Sequence, residues 1–190
     1  MMNTFVLHGT FGSPFDNWFG WLNKQLSESG VACYNPYLPT PLGQDFDNWS
    51  RIIDSYFDAG LLGPQSVVIG HSSSAVFWVK YLASKKVSVK TLVTVSGFNS
   101  FISGLEDFDK LNSNLYVSDD EAEQFLKLEI PTVCFVSEND PYLPLEELNS
   151  FSKLIKGDTV VVKDGGHFNT DSGYDSFDAV YELIVDLKKA

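Results

Sequence analysis

Five short apolar runs punctuate the chain: Phe5-Val6-Leu7, Ser66-Val67-Val68-Ile69, Leu92-Val93-Thr94-Val95, Thr132-Val133-Cys134-Phe135-Val136 and Thr159-Val160-Val161-Val162. They are β-branched, continuous rather than alternating, and bounded by Gly, Pro or polar residues, which is how strands covered on both faces of a parallel sheet read. Val31-Ala32-Cys33-Tyr34, closed by Asn35-Pro36, is a weaker sixth run. Between the runs the apolar period lengthens to that of a helix. Trp18, Leu22 and Leu26 share one face, as do Phe46, Trp49, Ile53 and Phe57. Leu145, Leu148, Phe151 and Ile155 follow Pro144, a residue suited to a first helical turn. Phe177, Val180, Ile184 and Leu187 repeat the pattern, with Lys188 and Lys189 at the negative end of the helix dipole. The segment Ala75–Leu82 is apolar almost all round and predicts a helix buried between sheet and neighbours.

This alternation over the whole length predicts one α/β domain across residues 1–190, with helices on both faces of the sheet. No repeat, low-complexity tract or Gly/Ser-rich linker interrupts it. The longest irregular stretch runs from about Ser96 to Ser118 and carries Phe98, Phe101, Phe108 and Tyr116 among Gly, Asn and Asp. Long loops in compact domains often serve as binding loops or lids, so this one reads equally as a pocket wall or as a surface loop pinned by aromatic anchors. It ends at Ser118-Asp119-Asp120-Glu121, a capping box that opens the next helix.

Composition narrows the partners. The 190 residues include 15 Phe, 8 Tyr and 4 Trp, far more apolar area than a disordered chain carries. Lys+Arg number 13 against 25 Asp+Glu, a net charge of −12 that repels phosphate backbones and anionic lipid. Neither a nucleic-acid nor a membrane partner is expected, and the tryptophans read as core or pocket lining. The two cysteines make neither a disulfide framework nor a four-ligand zinc site, and both Cys33 and Cys134 read as small buried hydrophobes. Asp119-Asp120-Glu121 is explained by its place at a helix start, and the glycosylation sequon Asn48-Trp49-Ser50 falls in a helical pattern. There is no HExxH, EF-hand, P-loop or dinucleotide fingerprint, so neither metal nor cofactor is expected. No apolar run nears the ~20 residues that cross a bilayer, and the N-terminus lacks the basic and apolar regions of a signal peptide. A soluble, cytoplasmic protein is the expectation.

The chemistry gathers at strand ends. Val67-Val68-Ile69-Gly70-His71-Ser72-Ser73-Ser74-Ala75 passes from a buried strand into a buried helix, the setting of the G-x-S-x-G nucleophile elbow. Positions two before and two after the serine must be small, because strand and helix backbones approach closely there. Ser74 replaces the second Gly, which leaves the register open among Ser72, Ser73 and Ser74; Ser72 is favoured because it alone has Gly two residues before. A serine hydroxyl needs a base, itself oriented by an acid. Of the three histidines, His71 should diverge from Ser72, and His8 reads as a structural brace for its loop. His167 follows the last run in Asp164-Gly165-Gly166-His167-Phe168, where the glycines permit a tight return over the sheet edge. Parallel strands point their C-terminal ends one way, which places this loop beside the elbow. The acid is Asp140, held extended before Pro141 after the fifth run, with Glu138 a competitor and Asp164 a weaker one. For the oxyanion, the elbow supplies the Ser73 N–H, and His8-Gly9-Thr10-Phe11-Gly12 supplies a second donor, assigned to Thr10.

Ile69-Gly70-His71-Ser72-Ser73-Ser74-Ala75, Asn139-Asp140-Pro141-Tyr142-Leu143-Pro144 and Gly166-His167-Phe168 together resemble the small serine hydrolases related to retinoblastoma-binding protein 9. Trp18-Phe19-Gly20-Trp21 resembles that family's W-x-G-W segment. The resemblance spans nearly the whole chain. It implies a compact α/β-hydrolase fold: a three-layer sandwich around a six-stranded parallel sheet of order 2-1-3-4-5-6, without a large cap domain. It also implies Ser72 as nucleophile, Asp140 as acid and His167 as base, acting on small-molecule esters, thioesters or amides through an acyl-enzyme, with a carboxylesterase-like or aminopeptidase-like specificity. Ser74 departs from the family's usual Gly, and the L-x-C-x-E peptide associated with retinoblastoma-protein binding is absent, so that partner is not implied. The alternatives are a non-catalytic binding protein on the same fold, or an acyltransferase. Oligomeric state is not legible.

Overall fold

A computed structural model describes residues 2–102 and 104–189. Strands β1 (Asn3–Leu7), β2 (Ala32–Tyr34), β3 (Ser66–His71), β4 (Thr91–Val95), β5 (Thr132–Ser137) and β6 (Asp158–Val162) form one sheet of order β2-β1-β3-β4-β5-β6. Every neighbouring pair is parallel. The helices are α1 (Phe19–Glu28), α2 (Phe46–Asp58), α3 (Ser73–Lys85), α4 (Glu106–Asn112), α5 (Asp119–Leu126), α6 (Leu145–Leu154) and α7 (Asp178–Lys189). No described helix is long and apolar enough to cross a membrane.

Alternation along the inner strands divides the core in two. Phe5, Leu7, Val68 and Leu92 face a layer built on Trp49 and Ile53 of α2, most of α3, Phe125 of α5 and Phe151 of α6. Val6, Val67, Ile69, Val93 and Phe135 face the opposite layer, where Leu22 and Leu26 of α1 meet Val180 and Ile184 of α7. Both faces of β1, β3 and β4 are covered, so their sequences run apolar without interruption. β6 differs from the sequence expectation. It is an edge strand, with Val160 41% and Val161 51% exposed. A β-branched run specifies a strand, but not whether a neighbour covers it.

The segment from Ser96 to Ser118 also departs from the sequence reading, because it contains α4. Its irregular parts are held by side chains: Asp109 accepts from Ile102 N at 2.8 Å, and Asn99 bonds Val117 through both its amide groups. The capping box at Ser118 and Glu121 is formed as expected.

β3 and α3 approach so closely that only glycine fits between them. A Cβ on Gly70 would lie 2.6 Å from Ala75 Cα, Ala75 N and Ser74 O, all of them atoms that cannot swing aside. Gly70→Ala is therefore expected to lose about 3 kcal/mol in denaturant unfolding, the upper range for overpacking. A loss under about 0.5 kcal/mol, as at an ordinary surface site, would contradict this packing.

Candidate active site

The chain leaves β3 at His71 and enters α3 at Ser73 with only Ser72 between. Ser72 adopts φ 58° and ψ −128°, a conformation that costs a non-glycine residue about 1–3 kcal/mol. Its N–H donates to Val95 O at 2.8 Å, which fastens the elbow to the end of β4. Ser74 is fully buried, and its hydroxyl lies 2.8 Å from Leu7 O and 2.9 Å from His71 O. The departure from glycine at this position is thus accommodated: the hydroxyl satisfies a carbonyl where β1 meets the elbow.

Asp140 and His167 arrive from the loops after β5 and β6. His167 Nδ1 and Asp140 Oδ2 are 2.8 Å apart, and the Asp140 side chain is fully buried. Ser96 Oγ also donates to Oδ2, at 2.9 Å, while Tyr142 N and Leu143 N donate to Oδ1 at 3.0 and 3.1 Å. Burial alone would raise this carboxyl, but the His167 contact and the hydrogen bonds from Tyr142 N and Ser96 outweigh it and hold Asp140 below the usual carboxylate range. Glu138 and Asp164, the competing acids, are exposed.

Four further side chains fix the His167 loop: those of Asn139, Ser172, His71 and Trp18. Gly166 takes φ 53°, Gly166 N donates to Asn139 Oδ1 at 2.7 Å, and His167 N donates to Ser172 Oγ at 3.2 Å. His71 Nε2 lies 2.7 Å from His167 O. Burial, with His167 close by, pushes His71 down to about 3, so its neutral ring donates Nε2–H to that carbonyl throughout the physiological range. Trp18 of the W-x-G-W segment is fully buried and donates Nε1–H to Phe168 O at 3.0 Å. The roles of Ser96, Asn139 and Ser172 escaped the sequence reading, although Asn139 opens the Asn139-Asp140-Pro141 motif. Ser96 also carries a signal, as the residue directly after an inner strand on the same sheet edge.

Ser72 and His167 line one cavity of about 550 Å³. No hydrogen bond joins Ser72 Oγ to His167 among the described residues; contacts of this kind commonly tighten only when substrate is seated. The cavity has an apolar wall of Phe11, Leu105, Phe108, Tyr142 and Leu143 and a polar one that includes Asp16, Asn17 and Asp171. The segment after β4 therefore does contribute to the pocket, through Leu105 and Phe108. Tyr142 stands edge-on to the His167 ring, with centroids 5.1 Å apart.

Ser73 N–H, at the first turn of α3, meets no acceptor among the described residues. Thr10 N–H donates to Ser73 Oγ at 2.9 Å, so it sits beside the elbow but is already engaged. His8 is buried, with Nδ1 2.9 Å from Gly9 O and Nε2 accepting from Leu38 N at 3.0 Å. Burial lowers its affinity for a proton. Cys134 is buried within β5 as read from sequence, whereas Cys33 is only half-buried, with its thiol pushed up to about 12 by burial. Among the described residues no group of three His, Cys, Asp or Glu side chains could hold a metal ion.

A parallel sheet of this order with a strained serine at the turn from β3 into α3 defines an α/β-hydrolase fold. The model of the family described as serine hydrolase matches residues 4–186, and the chain belongs to that family. It is 23% identical over 170 residues to serine hydrolase RBBP9 of Rattus norvegicus, covering 88% of this chain and 87% of that protein. It is 22% identical over 183 residues to YdeN of Bacillus subtilis, which carries a provisional hydrolase name, covering 95% and 93% of the two chains. The crystal structure of the ydeN gene product superposes with a TM-score of 0.84 at 21% identity, over 100% of both chains. Membership and fold make the chain a hydrolase.

Proposed function

We propose that the chain cleaves ester, thioester or amide bonds of small-molecule acyl substrates through an acyl-enzyme on Ser72. The observation that carries this reading is the meeting of three strand ends at one cavity: a strained serine with an open hydroxyl, and an imidazole whose far nitrogen is held by a buried carboxylate. In the proposed cycle His167 Nε2 takes the Ser72 proton as Oγ attacks the carbonyl carbon. Asp140 fixes the imidazole with its proton on Nδ1 and stabilises the imidazolium that forms. The Ser73 and Thr10 N–H groups receive the negative oxygen, and His167 returns its proton to the leaving group. Water, deprotonated by His167, then attacks the ester on Ser72, and as the bond to Oγ breaks His167 returns that proton to Ser72 and the acid is released. The steps require no cofactor. The apolar wall from Phe108 to Tyr142 suits an uncharged acyl group.

A fluorophosphonate probe tests the assignment, because it reacts with an activated serine and mimics the tetrahedral intermediate. The expected result is stoichiometric labelling that peptide mapping places on Ser72. Labelling elsewhere would overturn the choice of nucleophile, and a folded protein that stays unlabelled would favour a binding protein on the same fold. p-Nitrophenyl esters of increasing acyl length, with aminoacyl amides beside them, then separate the ester-cleaving from the aminopeptidase-like reading. Competing amine or alcohol acceptors would reveal acyl transfer.

A further inference from the structure

α4 turns a fully buried amide, Asn112, toward the loop after β1. Asn112 Nδ2 donates to Phe108 O at 2.8 Å, which leaves Oδ1 as the atom facing Thr10 Oγ1 at 2.8 Å and Gln44 Nε2 at 3.0 Å. An amide oxygen only accepts, so it takes the single proton of the Thr10 hydroxyl. Thr10 Oγ1 must then accept from its other two neighbours, Gln44 Nε2 and Ser73 Oγ, each at 2.9 Å. With the Ser73 proton spent on Thr10, a lone pair of Ser73 Oγ is left for the Thr10 N–H at 2.9 Å. Every proton in this ring thus points the way Asn112 Oδ1 dictates. Gln44 extends the arrangement: its Oε1 accepts from Thr40 Oγ1 at 2.6 Å, and Thr40 Oγ1 in turn accepts the Phe11 N–H at 2.8 Å.

We propose that Asn112 is a positioning residue for the oxyanion hole, acting through the Thr10 hydroxyl and Ser73 to aim the Thr10 N–H at the first turn of α3. The inference rests on the Ser72 reading above. Ser73 Oγ keeps this N–H beside the unengaged Ser73 N–H, where an oxyanion on the substrate can share it as charge develops. A donor fixed in advance is not reoriented during the reaction, which is what makes oxyanion stabilisation effective. A buried amide is also costly unless it is fully bonded, so an inward position of α4 given to Asn rather than to an apolar residue needs such a partner. Without Asn112 the Thr10 proton is free to turn elsewhere, and the loop keeps only an indirect link to α4, through Gln44 Nε2 and Leu111 O at 3.3 Å.

The test uses Asn112→Ala, Thr10→Val, which keeps the N–H and removes the hydroxyl, Thr10→Ser, and the double variant of the first two. Two readouts are taken: hydrogen exchange of the Thr10 and Phe11 amides by NMR, and turnover of p-nitrophenyl acetate. Exchange is expected to speed by about tenfold in Asn112→Ala and in Thr10→Val. kcat should fall about 30-fold with KM within about threefold of wild type, the split expected of an interaction made in the transition state. Thr10→Ser should run about tenfold faster than Thr10→Val, and the double variant should be no slower than the slower single by more than about twofold, because both break one ring. Unchanged exchange would overturn the proposal, as would faster exchange with kcat retained, a rise confined to KM, or multiplicative losses in the double variant. If Asn112→Ala does not fold, the near-isosteric Thr10→Val still decides. Faster exchange in an enzyme whose turnover ignores Ser72 would sink the nucleophile assignment while leaving the link from α4 to Thr10 in place.

Discussion

Ser72→Ala is expected to lower kcat on a p-nitrophenyl ester by about 10⁶-fold, the scale seen when a hydrolase loses its nucleophile, and to abolish fluorophosphonate labelling. The fold should be retained. Ser72 Oγ has no hydrogen bond among the described residues, so its removal orphans no partner, and alanine bears the same strain at φ 58° that serine does. Some rate above that in water should persist, roughly 10³-fold, because donors and cavity still bind the substrate. Ser72→Gly gives a useful companion: equally inactive, yet about 1 kcal/mol more stable once the positive φ costs nothing. Circular dichroism melting beside steady-state kinetics checks both. A Ser72→Ala enzyme within about tenfold of wild type would move the nucleophile elsewhere, Ser73 being the nearest hydroxyl in sequence.

Asp140→Asn is expected to cost about 10⁴-fold in kcat with little change in KM. The carboxylate accepts from four donors at once: His167 Nδ1, Ser96 Oγ, Tyr142 N and Leu143 N. An amide in the same place has one oxygen. If that oxygen faces Tyr142 and Leu143, its NH2 group meets His167 and stabilises the tautomer with the proton on Nε2, where it cannot accept from Ser72. If it is flipped, the NH2 group collides with two backbone N–H groups. Either way the compensation for a transient imidazolium is gone. Glu138→Gln, on an exposed side chain, should stay within about threefold of wild type. A collapse with Glu138→Gln beside a normal Asp140→Asn would reassign the acid.

The sheet was legible because a strand buried on both faces cannot alternate, and β1, β3, β4 and β5 each read as an unbroken apolar run. β6 shows where this reasoning stops. Thr159 to Val162 has the same character, yet it lies on the rim with Val160 and Val161 open to solvent. α4 was illegible for the opposite reason. Its inward positions include Asp109 and Asn112, which bond to loops instead of packing against hydrocarbon, so no apolar period announces it. That Ser72, Asp140 and His167 would lie at one sheet edge was legible, since a parallel sheet sends the loops after β3, β5 and β6 the same way. The groups that orient them were not. Ser96, Ser172 and Asn112 acquire meaning only when segments distant in sequence are brought within hydrogen-bond reach.

The indole of Trp18 grips the carbonyl of Phe168, a residue 150 positions further along the chain and the immediate neighbour of His167. The imidazole is therefore latched from the opposite end of the polypeptide. Clipping or loosening the segment that leads into α1 should slacken the His167 loop while leaving Ser72 on its pivot, so ester turnover is expected to fall before the sheet comes apart.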